Sequence, residues 1–393
     1  MRFHTLAGLL SGLCLSPLAA GAQSGCGGDF GGFVAGLRSE AVAAGHDAAA
    51  VKAFFAGVRQ DGRVLKADRS QAVFQKNFID FSRSVVSKGR LNTGAAMARK
   101  HAATFRRIGA DYGVSPGVLL AFWALETDFG QVQGDFNTLN ALVTLAHDCR
   151  RPELFRPQVF AALRLHERGD FDPARTTGAW AGEIGQVQML PDDILRNGVD
   201  GDGDGHVRPK TSAADALMSG AAMLRELGWR PGQPWLQEIT VPGELDWSKT
   251  GLDHELPVSQ WQAMGVRARS GALPAGLSGS VLLPMGRKGP AFMAFPNFRV
   301  YFEWNKSFVY VTSAAYMATR MEGAPPYDPG NPEAGLSAKE MKSLQKKLAA
   351  RGYDVGRIDG ILGEKTREAV QKEQQRLGLP ADAWPTAALL SGL

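Results

Sequence analysis

The sequence is poor in cysteine, with three in 393 residues, and none of them forms a Cys/His cluster with zinc spacing. That argues against a fold organised by cysteine-ligated zinc. Net charge is also scarce: 44 Lys and Arg against 39 Asp and Glu leave only +5. Over this length such a field is too weak to point to nucleic acid. No long apolar run follows Leu18, so no transmembrane segment is expected. No internal repeat stands out. The 44% share of hydrophobic residues is far too high for a disordered chain. The length suits two or three domains of roughly 100–200 residues each.

The first residues read as a leader. Arg2 supplies a short positive start, Leu6 to Leu18 an apolar stretch, and Ala20-Gly21-Ala22 the small residues of a cleavage site. Residues 1–22 are therefore expected to be removed, leaving an exported chain that starts near Gln23. A lipid anchor on Cys26 is disfavoured, because Gln23 stands where a bulky aliphatic residue would be needed. Loss of the leader removes Cys14 and leaves Cys26 and Cys149. In an exported protein two cysteines most simply form one disulfide, the alternative being two unrelated buried thiols.

From Phe30 to about Ala110 apolar residues recur at helical spacing: Phe33, Leu37, Ala41, then Val51, Phe54, Phe55 and Val58. Thr93 is expected to cap a helix over 92–112 that buries Phe105 and Ile108. Ser115-Pro116 opens a further helix whose interior, Val118 to Leu125, is apolar all round and so predicted to be buried on every side. Residues 236–311 change character. Runs at Glu238 to Val241, Val281 to Pro284, Phe298 to Phe302 and Phe308 to Thr312 alternate with Pro/Gly turns and predict a small β-containing part. Residues 323–335 have linker composition. Residues 336–393 form a separate small helical module.

Glu126 follows eight uncharged residues at the end of the buried helix, in Leu125-Glu126-Thr127-Asp128-Phe129-Gly130. Burial and the negative end of the helix dipole both raise a carboxylate pKa. A carboxylic acid still protonated near neutrality is what glycosidic-bond cleavage requires of its general acid. Gly130 is expected to stop the helix. Asp128 lies about 200° around the helix from Glu126 and cannot share its pocket if the helix continues. One acid without a local second carboxylate points to chemistry in which the substrate supplies the nucleophile.

Three segments carry a specific resemblance. The first is Glu126-Thr127-Asp128-Phe129-Gly130 followed by Asn137-Thr138-Leu139-Asn140-Ala141-Leu142. The second is Gly182-Glu183-Ile184-Gly185-Gln186-Val187-Gln188-Met189-Leu190-Pro191. The third is Asn297-Phe298 with Trp304-Asn305-Lys306-Ser307 and Tyr310. In this order and spacing the chain resembles the B-type lytic murein transglycosylases over roughly residues 30–322. The resemblance implies a mainly α fold with a small β-containing part, an α+β arrangement around a lysozyme-like core. It implies a periplasmic enzyme acting on peptidoglycan glycan strands, with a catalytic domain over 23–322.

By the same resemblance Glu126 is the sole acid/base. It protonates the bond between N-acetylmuramic acid and N-acetylglucosamine, then takes a proton from the muramyl C6 hydroxyl to leave a 1,6-anhydro end. Gln188, Asn305, Tyr310, Trp304 and Gly185 fall at positions that contact sugar. Three departures stand out: Glu183-Ile184 and Gln186 replace other residues, and Trp304 stands where tyrosine is usual. Glu183 is expected to face solvent or to pair with an arginine. Were it instead in the cleft, it or Asp135 could serve a hydrolytic muramidase. A catalytically silent wall-binding protein, or a scaffold for envelope protein partners, is the remaining alternative.

Asp200-Gly201-Asp202-Gly203-Asp204-Gly205-His206 matches the front of an EF-hand loop, with His206 offering its carbonyl. Thr211 stands at the twelfth position, so Asp215 is the nearest carboxylate that could close the site. A structural calcium or similar cation is expected there, the alternative being an ion-free Asp/Gly turn; the proposed chemistry needs no cofactor. Residues 336–393, with Gly352-Tyr353, Asp359-Gly360 and Ala369-Val370, closely resemble a three-helix peptidoglycan-binding module. Glu373 stands there in place of a usual aromatic. Ten Lys and Arg against seven Asp and Glu fall in this stretch, a mild bias toward an acidic polymer of the wall. A flexibly tethered module would raise local substrate concentration.

Overall fold

The computed structural model describes residues 26–70 and 76–393. The leader expected at 1–22, with Cys14, lies outside the described residues.

The main body is helical, and polar side chains start its helices where the sequence changes from loop to apolar periodicity. Asp29, Asp47, Asp61, Asn77 and Ser87 each accept a backbone N–H from the first turn of the helix they precede. Ser87, not Thr93, caps the helix Lys88–Lys100; Thr93 lies inside it. At the centre runs the helix Pro116–Thr127, buried from Gly117 through Ala124. It packs most extensively against Phe308–Met321. The two approach so closely at Gly117 that a Cβ there would lie 2.7 Å from the Ala318 carbonyl oxygen. Ser115 occupies the cap position, yet its hydroxyl accepts no N–H from the first turn, and the acceptor there comes from elsewhere. Glu322 Oε1 accepts both the Ser115 hydroxyl (2.6 Å) and the Gly117 N–H (2.7 Å).

Seven short strands complete the described fold: β1 (Phe136–Asn137), β2 (Thr177–Gly178), β3 (Leu236–Thr240), β4 (Leu256–Pro257), β5 (Arg267–Ala268), β6 (Ser278–Leu282) and β7 (Phe292–Ala294). β1 and β2 pair alone; the rest form one antiparallel sheet in the order β4-β6-β7-β3-β5. Side chains alternate across a strand, and both faces of this sheet are covered. Leu236, Leu282, Phe292 and Ala294 join the helical core, while Ile239, Val281 and Met293 pack with Trp247 and Trp261 on the other side.

Two of the four runs expected to be β are helical. Phe298 to Phe302 lies in the helix Pro296–Trp304, and Phe308 to Thr312 opens Phe308–Met321. Pro296 at the first helical turn and Ser307 as cap decide against extended structure there. The strands therefore end at Ala294.

The C-terminal module consists of Ala338–Ala350, Glu364–Arg376 and Ala387–Gly392 around Leu344, Leu348, Val370 and Leu389. The stretch before it has no regular structure, but it is not a free tether. The Tyr327 ring packs on Tyr316, Phe78 and Phe292, and its hydroxyl meets Ser82 Oγ at 2.8 Å. Asn331 N–H donates to the Lys288 carbonyl, and Trp384 Nε1 to the Glu333 carbonyl. Gln371 Nε2 donates to the carbonyls of Trp247 and Thr250 in the sheet-containing part. The module is docked.

No single helix among the described residues is long and apolar enough to cross a membrane. Cys26 and Cys149 are joined as a disulfide.

Candidate active site

Glu126 sits in the last turn of the central helix. The helix ends at Thr127, three residues before the expected glycine stop: Asp128 and Phe129 are already left-handed, at φ 50° and 60°, and Gly130 follows at 85°. The helix does not continue through Asp128 as the sequence argument assumed; from its left-handed position Asp128 instead pairs with Arg90 Nε at 3.0 Å.

The partners of Glu126 come from the far end of the chain. Tyr310 Oη donates to Glu126 Oε1 at 2.5 Å, and Trp304 Nε1 donates to the same oxygen at 3.2 Å. Trp304 is itself held flat against Phe122, with ring centres 4.2 Å apart. Tyr310 lies in the first turn of Phe308–Met321, not in a strand. The Glu126 carboxyl is raised from 4.5 to about 7 as the net result of burial, which drives it up most, the two hydrogen bonds, which oppose the rise, and nearby Glu183, which adds to it. Burial first, and then the Glu126 charge, hold the Tyr310 phenol well above its ordinary value, so it remains a donor.

A second wall of the site is the loop over residues 182–190. Ile184 and Met189 bridge each other across a tight turn. Thr127, next to Glu126, pins this loop: its hydroxyl donates to the Gln186 carbonyl at 2.6 Å and accepts the Gly130 N–H at 2.9 Å. Gly185 has φ 84°, and a Cβ there would come 2.7 Å from the Pro209 carbonyl carbon, so no larger residue fits. Gln188, left-handed at φ 55°, turns its Nε2 onto the Gly185 carbonyl at 2.8 Å. Asn305 leaves the helix Pro296–Trp304, and its Oδ1 accepts the Ser307 N–H at 2.9 Å.

Glu183 does not face solvent, contrary to expectation. It is half-buried and near enough to Glu126 to raise that carboxyl; desolvation raises its own pKa, and its Oε2 is buried with no hydrogen-bond partner. Arg151 pulls it down only weakly against that burial, and no ion pair forms between them within 4.0 Å. Asp135, the other suspected second acid, is 84% exposed and lies 3.9 Å from Arg63 at the surface.

The acidic loop folds as the motif suggests. Carboxylate oxygens of Asp200, Asp202 and Asp204 lie within 4.8 Å of one another. Asp200 gathers the N–H groups of Gly203, Asp204 and Gly205. Asp215 is not part of this convergence. Its two oxygens are taken by the Gly201 N–H (2.9 Å) and the Arg208 N–H (2.7 Å), clamping the ends of the loop together. The His206 ring contacts Asp170 at 2.9 Å, leaving its main-chain carbonyl as the group the motif would use.

Glu126, Trp304, Tyr310 and the pinned loop were all in segments singled out from sequence. The roles of Thr127, Glu322 and Glu183 were not, since each depends on contacts more than fifty positions away in the chain or on burial that neighbours in sequence do not report.

Among solved structures, the chain is similar to SltB3 from Pseudomonas aeruginosa in complex with NAG-anhNAM-pentapeptide. That similarity has a TM-score of 0.85 and 37% identity, covering 93% of this chain and 99% of that one. It is also similar to the soluble lytic transglycosylase SltB1 of the same organism, at TM-score 0.65 and 27% identity over 74% of this chain and 99% of that one. The membrane-bound lytic murein transglycosylase B of Escherichia coli (strain K12) is 24% identical over 231 residues, 58% of this chain. The chain spans only 63% of that relative's length. The peptidoglycan-binding-domain family matches residues 337–391. The family described as the transglycosylase SLT domain matches residues 29–319, most of the chain, and the chain belongs to it.

Proposed function

We propose that this chain is an exported lytic murein transglycosylase. It cleaves the β-1,4 bond between N-acetylmuramic acid and N-acetylglucosamine without water and leaves 1,6-anhydromuramyl ends. The observation that carries this reading is the Glu126 carboxyl, raised to about 7 with burial as the main cause, with both of its donors on one oxygen. Oε2 is then the oxygen that carries the proton. Glu126 gives this proton to the glycosidic oxygen as the C1–O bond breaks, and Tyr310 and Trp304 stabilise the carboxylate that results. The muramyl C6 hydroxyl then bonds to C1 and returns its proton to Glu126, so the acid is regenerated and no water is consumed. The substrate's N-acetyl group stabilises the intermediate, in keeping with a lone acid.

Gln188, Asn305, Gly185, Trp304 and Tyr310 form the sugar-contacting surface. Asp200, Asp202 and Asp204 suit a hard, oxygen-ligated cation, and calcium is assigned there with the His206 carbonyl, in a structural role. Asp215 braces that loop. A solved structure of Escherichia coli SLT35, 23% identical, is a complex with calcium. The leader would deliver the chain to the periplasm, and the C-terminal module would hold it on the wall.

Mass spectrometry of purified peptidoglycan digested with the mature protein tests the reading. Muropeptides lighter by one water are expected; reducing muramyl ends would instead assign a hydrolase that uses Glu183. Glu126→Gln should abolish release while sedimentation with the wall persists.

A further inference from the structure

Arg367 belongs to the C-terminal module but is shut away from the wall. It lies in the helix Glu364–Arg376 and is only 6% exposed. Its Nη2 donates to the Pro284 carbonyl at 2.7 Å, and its guanidinium carbon stands 4.2 Å from the centre of the Phe308 ring. Taking a guanidinium out of water is costly. Here burial lowers the group to about 10, with Glu364 and Asp382 opposing that loss. A group placed so deep cannot grip a polymer outside.

What it does touch leads to the acid. Phe308 is the first residue of the helix Phe308–Met321, and Tyr310, two residues on in the same turn, donates to Glu126 Oε1 at 2.5 Å. That start is also held from within the core, where Ser307 caps the helix and Asn305 Oδ1 accepts the Ser307 N–H at 2.9 Å. Within one helical turn the backbone is stiff, so a shift at Phe308 is carried to Tyr310. A phenol–carboxylate hydrogen bond weakens steeply when its angle departs from linear, so its strength depends on where the phenol is held.

We infer that Arg367 is a positioning residue for the reaction: reaching from the wall-binding module, it clamps Phe308 and so keeps Tyr310 aligned with Glu126. The inference rests on the proposed role of Glu126 as acid. It makes the module part of the catalytic apparatus rather than an appendage that only raises local concentration.

The test uses the full mature chain and soluble glycan fragments. Arg367→Met keeps the aliphatic stem and removes the cation. It should lower kcat on the order of tenfold, as expected of a small misplacement at the reacting centre, while KM and sedimentation with the wall stay near wild type. Tyr310 donation holds the Glu126 carboxyl down. Loosening it should therefore move the alkaline limb of the kcat profile upward, in the same direction as Tyr310→Phe. Arg367→Lys, which restores a cation over the ring, should recover part of both effects. Should Arg367→Met not fold, Phe308→Leu interrupts the same contact and should give the same two shifts. Where both single variants fold, the double variant should be no worse than the poorer of them.

A lowered melting temperature with kcat and limb unchanged would make Arg367 merely structural and overturn the inference. An unmoved limb in Tyr310→Phe as well would overturn the role given to Tyr310, and with it this inference. Reducing ends in the wild-type digest would instead mark the failure of the functional reading itself.

Discussion

A buried acid kept near neutrality has a cost that shows in stability. Glu126 titrates near 7 in the folded chain against an ordinary 4.5, so the folded state binds this proton more tightly than the unfolded state. The penalty is absent below pH 4.5, grows as pH rises through this window, and is complete above 7. At 1.36 kcal/mol per unit it reaches about 3 kcal/mol. Glutamine keeps an acceptor for Tyr310 and Trp304 without the charge. Glu126→Gln is therefore expected to be more stable than wild type in urea at pH 8 and little changed at pH 4; equal stability at both would refute this. Glu183 offers a second test. Its charge raises the Glu126 carboxyl, so Glu183→Gln should shift the alkaline limb of activity downward while the anhydro product remains.

Among elements, the loop over residues 182–190 hangs on one hydroxyl. Thr127→Val deletes a buried donor to the Gln186 carbonyl and strands the Gly130 N–H. The expected cost is about 1–3 kcal/mol in denaturant unfolding, with loss of activity in the folded fraction as the loop drifts. Calcium is the support proposed for the acidic loop: on that proposal chelation should lower the melting temperature and added calcium restore it, with product mass unchanged. An unmoved melting temperature would remove the ion. The central helix was legible in sequence because Ser115-Pro116 and an unbroken apolar run leave little choice of structure. Residues 298–302 and 308–312 were not, because short aromatic and β-branched runs fit a strand as well as a buried helix. There the flanking Pro296 and Ser307 carried the information. Glu126, Trp304 and Tyr310 could be named through the family resemblance, the last two as sugar contacts and not as donors to the acid. That Trp304 binds the acid directly, and that Glu183 turns inward, emerged only with the packing of distant segments.

At the scale of the molecule, Pro/Gly-rich composition suggested a loose connection, yet Tyr327, Trp384 and Gln371 fasten module to core. Calorimetry of the mature chain should accordingly give one unfolding transition; a separate early transition of the module would contradict the docking. The disulfide carries a consequence of another kind. It closes 123 residues, from Cys26 to Cys149, into one ring that contains Glu126 and the whole central helix. Closing a loop that long restricts the unfolded chain by about 5 kcal/mol in the entropic account. Thiols stay open in a reducing cell interior and close in an oxidising compartment. On the proposed export, the ring would close, and the fold gain this restriction, only once the chain has reached an oxidising compartment.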